Sequence, residues 1–553
     1  MKKFVIAVVL LALLFVGWFF GLPAYRAWKE KRFVTQAQDY LGQKDYTNAV
    51  LAARQAIVLN VNNAAAWAVR ARAADAAQIP GALDLWQRVV NLSPTPTNQL
   101  ALARACVLAQ KIPRALQALL TIPPEHQNNA TYHELAGMVC AADKNYTAVA
   151  DWHFGEAAKF DPNNKAALLN QSIIRLSAKK TEAVADAKKN LASLIADPLY
   201  GKDALRHLTF AALRERDFAR ATEFATQLAA RPNASLDDRL MKLSILKEFA
   251  AGNFRSELET VKTDAAKTPE DTYALASWLA THGLNTEALA WLAQLPGDAQ
   301  AKPAVRLAHA DVLQASKDWP VLENFLTDQS WGELEFIRLA QLAHAAQAQN
   351  QRVAADSHWS AAVRVAAERL KPLTVLYSLA TAWGWDDQRE EILNTLIERH
   401  PNERWAFAAL DQFYSAGGNT RGLQKVFARL VDIHPEDLGA KNNLAYINTL
   451  LGVQPSQTLA MAREVFAAFP TNAVCASTFA LALHAQGQTS EALKVLQKLT
   501  PAQLEYPGIT FCYGVILAAS GDHTNSAKYL DLAAKEKLLV EEEKLLKTAR
   551  GEN

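Results

Sequence analysis

Small or apolar residues recur along this chain at one set of steps, and no other feature restricts its folding so strongly. Ala82, Trp86, Val89 and Pro94 are separated by 4, 3 and 5 residues. Ala150, Phe154, Ala157 and Pro162 repeat those steps, and so do Leu423, Phe427, Leu430 and Pro435. Glu257, Val261, Asp264 and Pro269 carry them with two carboxylates. Ala49, Ala53 and Ala56 form a further copy; Ala492, Leu496 and Leu499 follow Gly487, and Ser526, Leu530 and Ala533 follow Gly521. Steps of 4 and 3 put side chains on one face of a helix. The Pro or Asn-rich stretch behind each stripe ends that helix. The segment ahead of each stripe is periodic too, as at Tyr132, Leu135, Ala136 and Val139. Turns separate the two halves at Lys44-Asp45, Asp217-Phe218, Gly252-Asn253, Lys317-Asp318 and Gly521-Asp522. The pattern predicts pairs of antiparallel helices, repeated.

The unit resembles the tetratricopeptide repeat (TPR), a 34-residue helix-turn-helix. LNVNNAAAW at 59–67 and FDPNNKAAL at 160–168 are similar to that family's repeat junction. Good copies lie near 33–63, 130–164, 238–270, 404–437, 473–500 and 507–536, whereas 98–128 and 165–199 keep the helical face and lose the turn signature. The resemblance implies an all-α fold: a right-handed superhelical solenoid of about 12–15 repeats over residues 33–536. Each pair would bury its apolar face against its neighbours. Helical repeats of other solenoid families are the structural alternative. Residues 537–553 read as a charged, solvent-facing capping helix and tail, with the glutamates at 541–543 solvated.

The N-terminus is of another kind. Residues 1–3 are short and basic, and 4–25 hold no charge over a length that can span a bilayer as a helix. Residues 26–32 form a basic juxtamembrane linker. A cleaved signal would want small residues around the cut, but Leu22 stands two before Ala24, so an uncleaved transmembrane signal anchor is the reading. The Met-Lys-Lys start is similar to a bacterial inner-membrane signal anchor. It implies a single-pass protein with an extracytoplasmic, periplasmic array. Arg26, Lys29, Lys31 and Arg32 keep the cytoplasm-facing alternative open.

Composition and motifs argue against several chemistries. Lys plus Arg total 58 against 56 Asp plus Glu, so no overall basic charge points to nucleic acid. His133-Glu134 opens like H-E-x-x-H, but Gly137 stands where the second histidine must be, so both residues are expected on a helix surface. Phosphate-loop, dinucleotide and nucleophile-elbow motifs are missing, and no CxxC pair exists. Catalytic, cofactor-binding and metal-binding residues are therefore assigned to none, and the chain reads as no enzyme. Cys106 and Cys140, 34 apart, would sit at equivalent points of adjacent repeats, too far apart for a disulfide. Trp383-Gly384-Trp385 reads as a turn tucked into the core, with an aromatic anchor for a partner as the rival.

The resemblance also implies function. The family holds protein or peptide partners in a groove lined by the first helix of each repeat. That places Asn170, Arg175, Asn443 and Tyr446 as candidate groove residues. Asn could hydrogen-bond a ligand backbone and Arg could pair with a carboxylate. The expected role is a membrane-anchored scaffold in assembly or export of envelope components. The alternatives are an accessory or processing factor with an enzyme-linked role, and a carbohydrate-binding or self-assembling structural protein.

Overall fold

In a computed structural model of the chain, residues 22–552 are described apart from 78, 80, 179, 250 and 328. The regular structure among them is helical, with no strand. The chain divides into two compact units between Asp271 and Thr272. Within each, antiparallel helices follow one another in pairs, and each pair packs on the next.

One kind of turn closes many of the pairs. One residue adopts a left-handed backbone, and the amide after it reaches back to a carbonyl five residues earlier, the closure that satisfies a helix C-terminus. Trp385 N–H donates to Ala380 O at 2.9 Å, Asn419 to Tyr414 at 2.8 Å, and Asp522 to Leu517 at 3.0 Å. In the second unit the left-handed residues Gly283, Lys317, Asn350, Gly384, Gly418, Gly452, Gly487 and Gly521 are spaced 33–35 apart. Glycine pays no steric penalty at positive φ, and lysine does. The following helix is often capped by an Asp or Asn side chain. Asp45 accepts from the Asn48 amide at 3.1 Å, and Asp217, Asp318, Asn419 and Asp522 act alike. Such a cap is worth about 1 kcal/mol.

The stripes form the core. Trp86, Val89, Ala150, Phe154, Ala157, Leu423, Phe427, Ala492, Leu496, Leu530 and Ala533 are buried. Two helices of a pair meet closely where the first offers glycine. A Cβ on Gly137 would stand 2.7 Å from the Phe154 ring, and one on Gly514 2.8 Å from Leu530.

Two details of the pattern are corrected. In helix Ala251–Ala265 the buried stripe is Leu258, Val261 and Ala265, one residue off the expected Glu257 and Asp264. Those carboxylates pair with Lys242 and Arg239 instead, because ionised groups keep water or a cation in preference to an apolar core. Gly252 and Asn253 lie in the first turn of this helix and are not a turn between helices.

The predicted span 4–25 lies outside the described residues except for its last four. Residues 22–25 open helix α1 (Leu22–Gly42), which runs on through the basic stretch 26–32. Glu30 in that stretch accepts from the Asn60 side chain at 2.9 Å. None of the described helices is long and apolar enough to cross a membrane.

Candidate functional site

The first unit holds two of the four groove candidates. Helices α2 (Ala130–Ala141), α3 (Thr147–Phe160) and α4 (Lys165–Arg175) are consecutive there. Arg175 at the end of α4 grips Asp151 of α3 through two bonds, 2.6 Å from Nε and 3.2 Å from Nη2. Asn170 donates to Ala166 O in its own helix at 3.0 Å. Both side chains are engaged within the chain.

His133 and Glu134 are not on a surface. Both are buried, because α2 is packed on two sides, by its own partner and by the next pair. His133 Nδ1 faces His153 Nδ1 at 2.9 Å, and its ring stacks on Phe160. Burial holds both imidazoles below the usual histidine range, and for His153 the neighbouring His133 adds to it. Glu134 accepts from Asn164 at 2.9 Å and lies 3.6 Å from Arg104. No cluster of metal-ligating side chains occurs among the described residues.

The other two candidates meet in the second unit. There α5 (Arg404–Gly417) and α6 (Thr420–Ile433) form one pair, and α7 (Leu438–Leu451) and α8 (Pro455–Ala468) the next. They are followed by α9 (Ala473–Ala485) with α10 (Thr489–Leu496), and α11 (Ile509–Ala519) with α12 (His523–Ala533). First helices touch one another in sequence, α7 on α9 and α9 on α11, and so form one continuous face. Asn443 and Tyr446 lie one turn apart on α7 and both line a cavity of about 330 Å³ on this face. Leu423, Phe427, Ile447 and Ile509 give it an apolar floor; Asp411, Ser415, Ser477 and Thr478 give it polar walls.

Asn442 also lines it, and the spacing rule passed this residue over. Its side chain is 6% exposed, and its Oδ1 has no hydrogen-bond partner. A buried amide carbonyl left unpaired costs on the order of 1–3 kcal/mol. A ligand N–H would recover it once the side chain turns its oxygen towards the cavity. Burial pushes the Asp411 carboxyl up, against the hydrogen bond it accepts from Ser415 at 3.2 Å.

The remaining wall is the C-terminal segment. Helix α13 (Val540–Arg550) does not face solvent as a simple cap. It lies against α7, α11 and α12. Glu541 accepts from the Thr420 hydroxyl and Glu542 from the Tyr446 hydroxyl, 121 and 96 residues back along the chain. Glu542 is buried and also accepts from the Leu539 amide at 2.6 Å; of the three glutamates only Glu543 is exposed. Leu546 packs with Leu481, Phe511, Cys512 and Val515. Enclosure by these groups raises the Tyr446 phenol well above its usual range, through burial first and then the Cys512 thiol and the Glu542 carboxylate. Burial pushes the Cys512 thiol up likewise. The apolar positions Leu538, Leu539, Leu545 and Leu546 were the sequence signal for a helix with a face to bury.

Trp383 and Trp385 flank left-handed Gly384 and pack against the core, Trp383 stacked on His344 with centroids 4.2 Å apart. Cys106, Cys475 and Cys512 are buried, Cys140 is half-buried, and all four are unpaired.

No family model matches the sequence, and no curated protein does. Among solved structures, the chain is similar to the crystal structure of the APC/C hetero-tetramer Cut9-Hcn1, at 14% identity over 93% of this chain and 97% of that one, with a TM-score of 0.26. It is similar to the structure of Naa15/Naa10 bound to HypK-THB at 12% identity, over 92% of this chain and 88% of that one, with a TM-score of 0.33.

Proposed function

We propose that this protein is a scaffold of tetratricopeptide type that binds a protein or peptide on the face formed by α7, α9 and α11. The observation that carries the reading is a cavity lined by Asn443, Thr478 and Asn442, whose buried Oδ1 is unpaired, above an apolar floor. An extended backbone offers N–H groups to the amide carbonyl and apolar side chains to Phe427 and Ile447. The chain carries out no chemistry of its own in this reading. The uncharged stretch 4–25 anchors it in a bacterial inner membrane, with the repeats on the periplasmic side. The partners are components of envelope assembly or export.

The test is crosslinking in cells, followed by detergent purification and mass spectrometry of full-length protein and of Asn442→Leu. A partner captured by the first and lost from the second supports the reading, and its compartment fixes the orientation. Recovery of the protein alone, or an identical set of partners with Asn442→Leu, overturns binding at this face.

A further inference from the structure

The face that carries the cavity is already partly covered by the protein itself. The segment beyond α12 leaves the array through exposed, non-helical residues around 534–537, turns back, and lays α13 on the face. Its attachments fall into two kinds. Lys537 Nζ donates to Ala416 O at 2.5 Å, and the hydroxyls of Thr420 and Tyr446 donate to Glu541 and Glu542. One turn further on, Leu545 and Leu546 enter an apolar patch with Phe511 and Val515. The segment thus presents carboxylates at the start of a short helix and leucines in its next turn.

It fits the face incompletely. A cavity of about 330 Å³ remains between Lys537, Leu539 and Glu542 on one side and α7 and α9 on the other. Asn442, one of the residues lining that cavity, has a buried side-chain carbonyl that receives nothing. This cavity is partly open to solvent, so the segment covers the face without closing it. The arrangement matches a site made for a longer occupant and held by a shorter one.

We propose that segment 537–552 is an internal occupant that blocks the binding face, and that the partner is an amphipathic helix of the same chemistry. That helix carries carboxylates in its first turn for Thr420 and Tyr446 and leucines one turn on. A residue ahead of it extends into the cavity and donates an N–H to Asn442. The proposal rests on the reading of this face as a binding site and adds its ligand class and its regulation. With the segment closed, a partner binds only the open fraction of molecules, so its apparent affinity is lowered by that fraction.

The test uses the full chain and needs no partner. Hydrogen exchange on the wild type gives the open fraction of 540–550. A labelled synthetic peptide of residues 537–552 is then titrated onto the wild type and onto Leu546→Asp, whose own helix has lost its apolar anchor. The expected results are three. Amides of α13 exchange by local opening, faster than those of α11 and α12. They lose protection in Leu546→Asp. The peptide binds Leu546→Asp more tightly than wild type by the reciprocal of the open fraction.

The proposal is overturned if α13 exchanges only together with α11 and α12, which would make it an integral cap. It is overturned equally if α13 stays protected in Leu546→Asp, or if the peptide binds both proteins alike or neither. A wild-type dimer that becomes monomeric in Leu546→Asp would assign the segment to a second copy and overturn the internal occupant. Crosslinking separates this from the underlying reading. A partner captured equally by both proteins leaves the scaffold standing and removes the block. Peptide binding with the expected ratio, but no captured partner, leaves the block and removes the scaffold.

Discussion

Replacing Asp311 with asparagine is expected to stabilise the second unit, and only above a defined pH. Asp311 sits in helix Pro303–Ser316, where it accepts from Tyr273 Oη at 3.0 Å and from Gln341 Nε2 at 2.7 Å. Burial pushes its carboxyl from 3.8 up to about 6, against the effect of these two bonds. The folded protein therefore holds this proton more tightly than the unfolded chain does. Stability is fully present below pH 4, declines as pH rises towards 6, and stays at the lower level above it. A rise of that size is worth about 3 kcal/mol, and residual contact with water lowers the expectation to about 2 kcal/mol. Asparagine has no charge to bury. Its carbonyl still accepts from Tyr273, and once the Gln341 amide flips its own amide donates to Gln341 Oε1, which is buried without a partner in the wild type. An array melts piecewise, so the assay is hydrogen exchange read locally on Pro303–Ser316 and Glu335–Ala348 at pH 4.5 and 7.5, beside urea unfolding. Asp311→Asn should match wild type or fall slightly below it at the lower pH and exceed it at the higher. An advantage that is the same at both pH values, or a loss at pH 7.5, would refute the reasoning.

Three further outcomes follow from the packing. Phe154→Ala removes a ring that fills the space left by Gly137, and should cost about 3–5 kcal/mol in the exchange stability of α2 and α3, while Gly137→Ala should cost about 1–3 kcal/mol by crowding that ring. Asp238 is fully buried, which raises its carboxyl, but bonds from Arg206 at 2.7 Å, Lys202 at 2.9 Å and the amide and hydroxyl of Ser235 together hold it below the usual carboxylate range. Its contribution is present above pH 4 and lost as pH falls further, and Asp238→Asn at neutral pH should cost about 2–3 kcal/mol by urea unfolding, since the two cations keep some water. His133 and His153 are both held below 6.5, so the unfolded chain takes up protons first as the medium is acidified. The α2–α3 pair should loosen by hydrogen exchange as pH falls below 6.5, and His153→Phe should remove some of that dependence.

What the sequence made legible was whatever repeats locally. The stripe of Ala150, Phe154 and Ala157 is buried as its spacing implied, and Lys44-Asp45, Lys317-Asp318 and Gly521-Asp522 are turns of one geometry. Where stripe positions held charge, at Glu257 and Asp264, the spacing alone pointed to the wrong register, although Leu258 stood next door. His133 and Glu134 looked superficial because single-helix periodicity assumes one buried face, and a first helix in such an array has two. Asn443 and Tyr446 were within reach of a family-style argument. Asn442 was not, since its distinction is an unpaired oxygen. The return of Glu541 and Glu542 to Thr420 and Tyr446 spans about a fifth of the chain and leaves no periodic trace.

The left-handed turns also grade the array mechanically. From Gly384 onward most are glycine, whereas Lys44, Gln110, Arg216, Lys317, Asn350 and Gln454 hold the same kind of conformation with a side chain attached. Each of these carries about 1–2 kcal/mol of steric strain that glycine avoids. Under tension such a chain has built-in weak joints. Beyond Gly384 the strained residue is Gln454, two positions after strain-free Gly452.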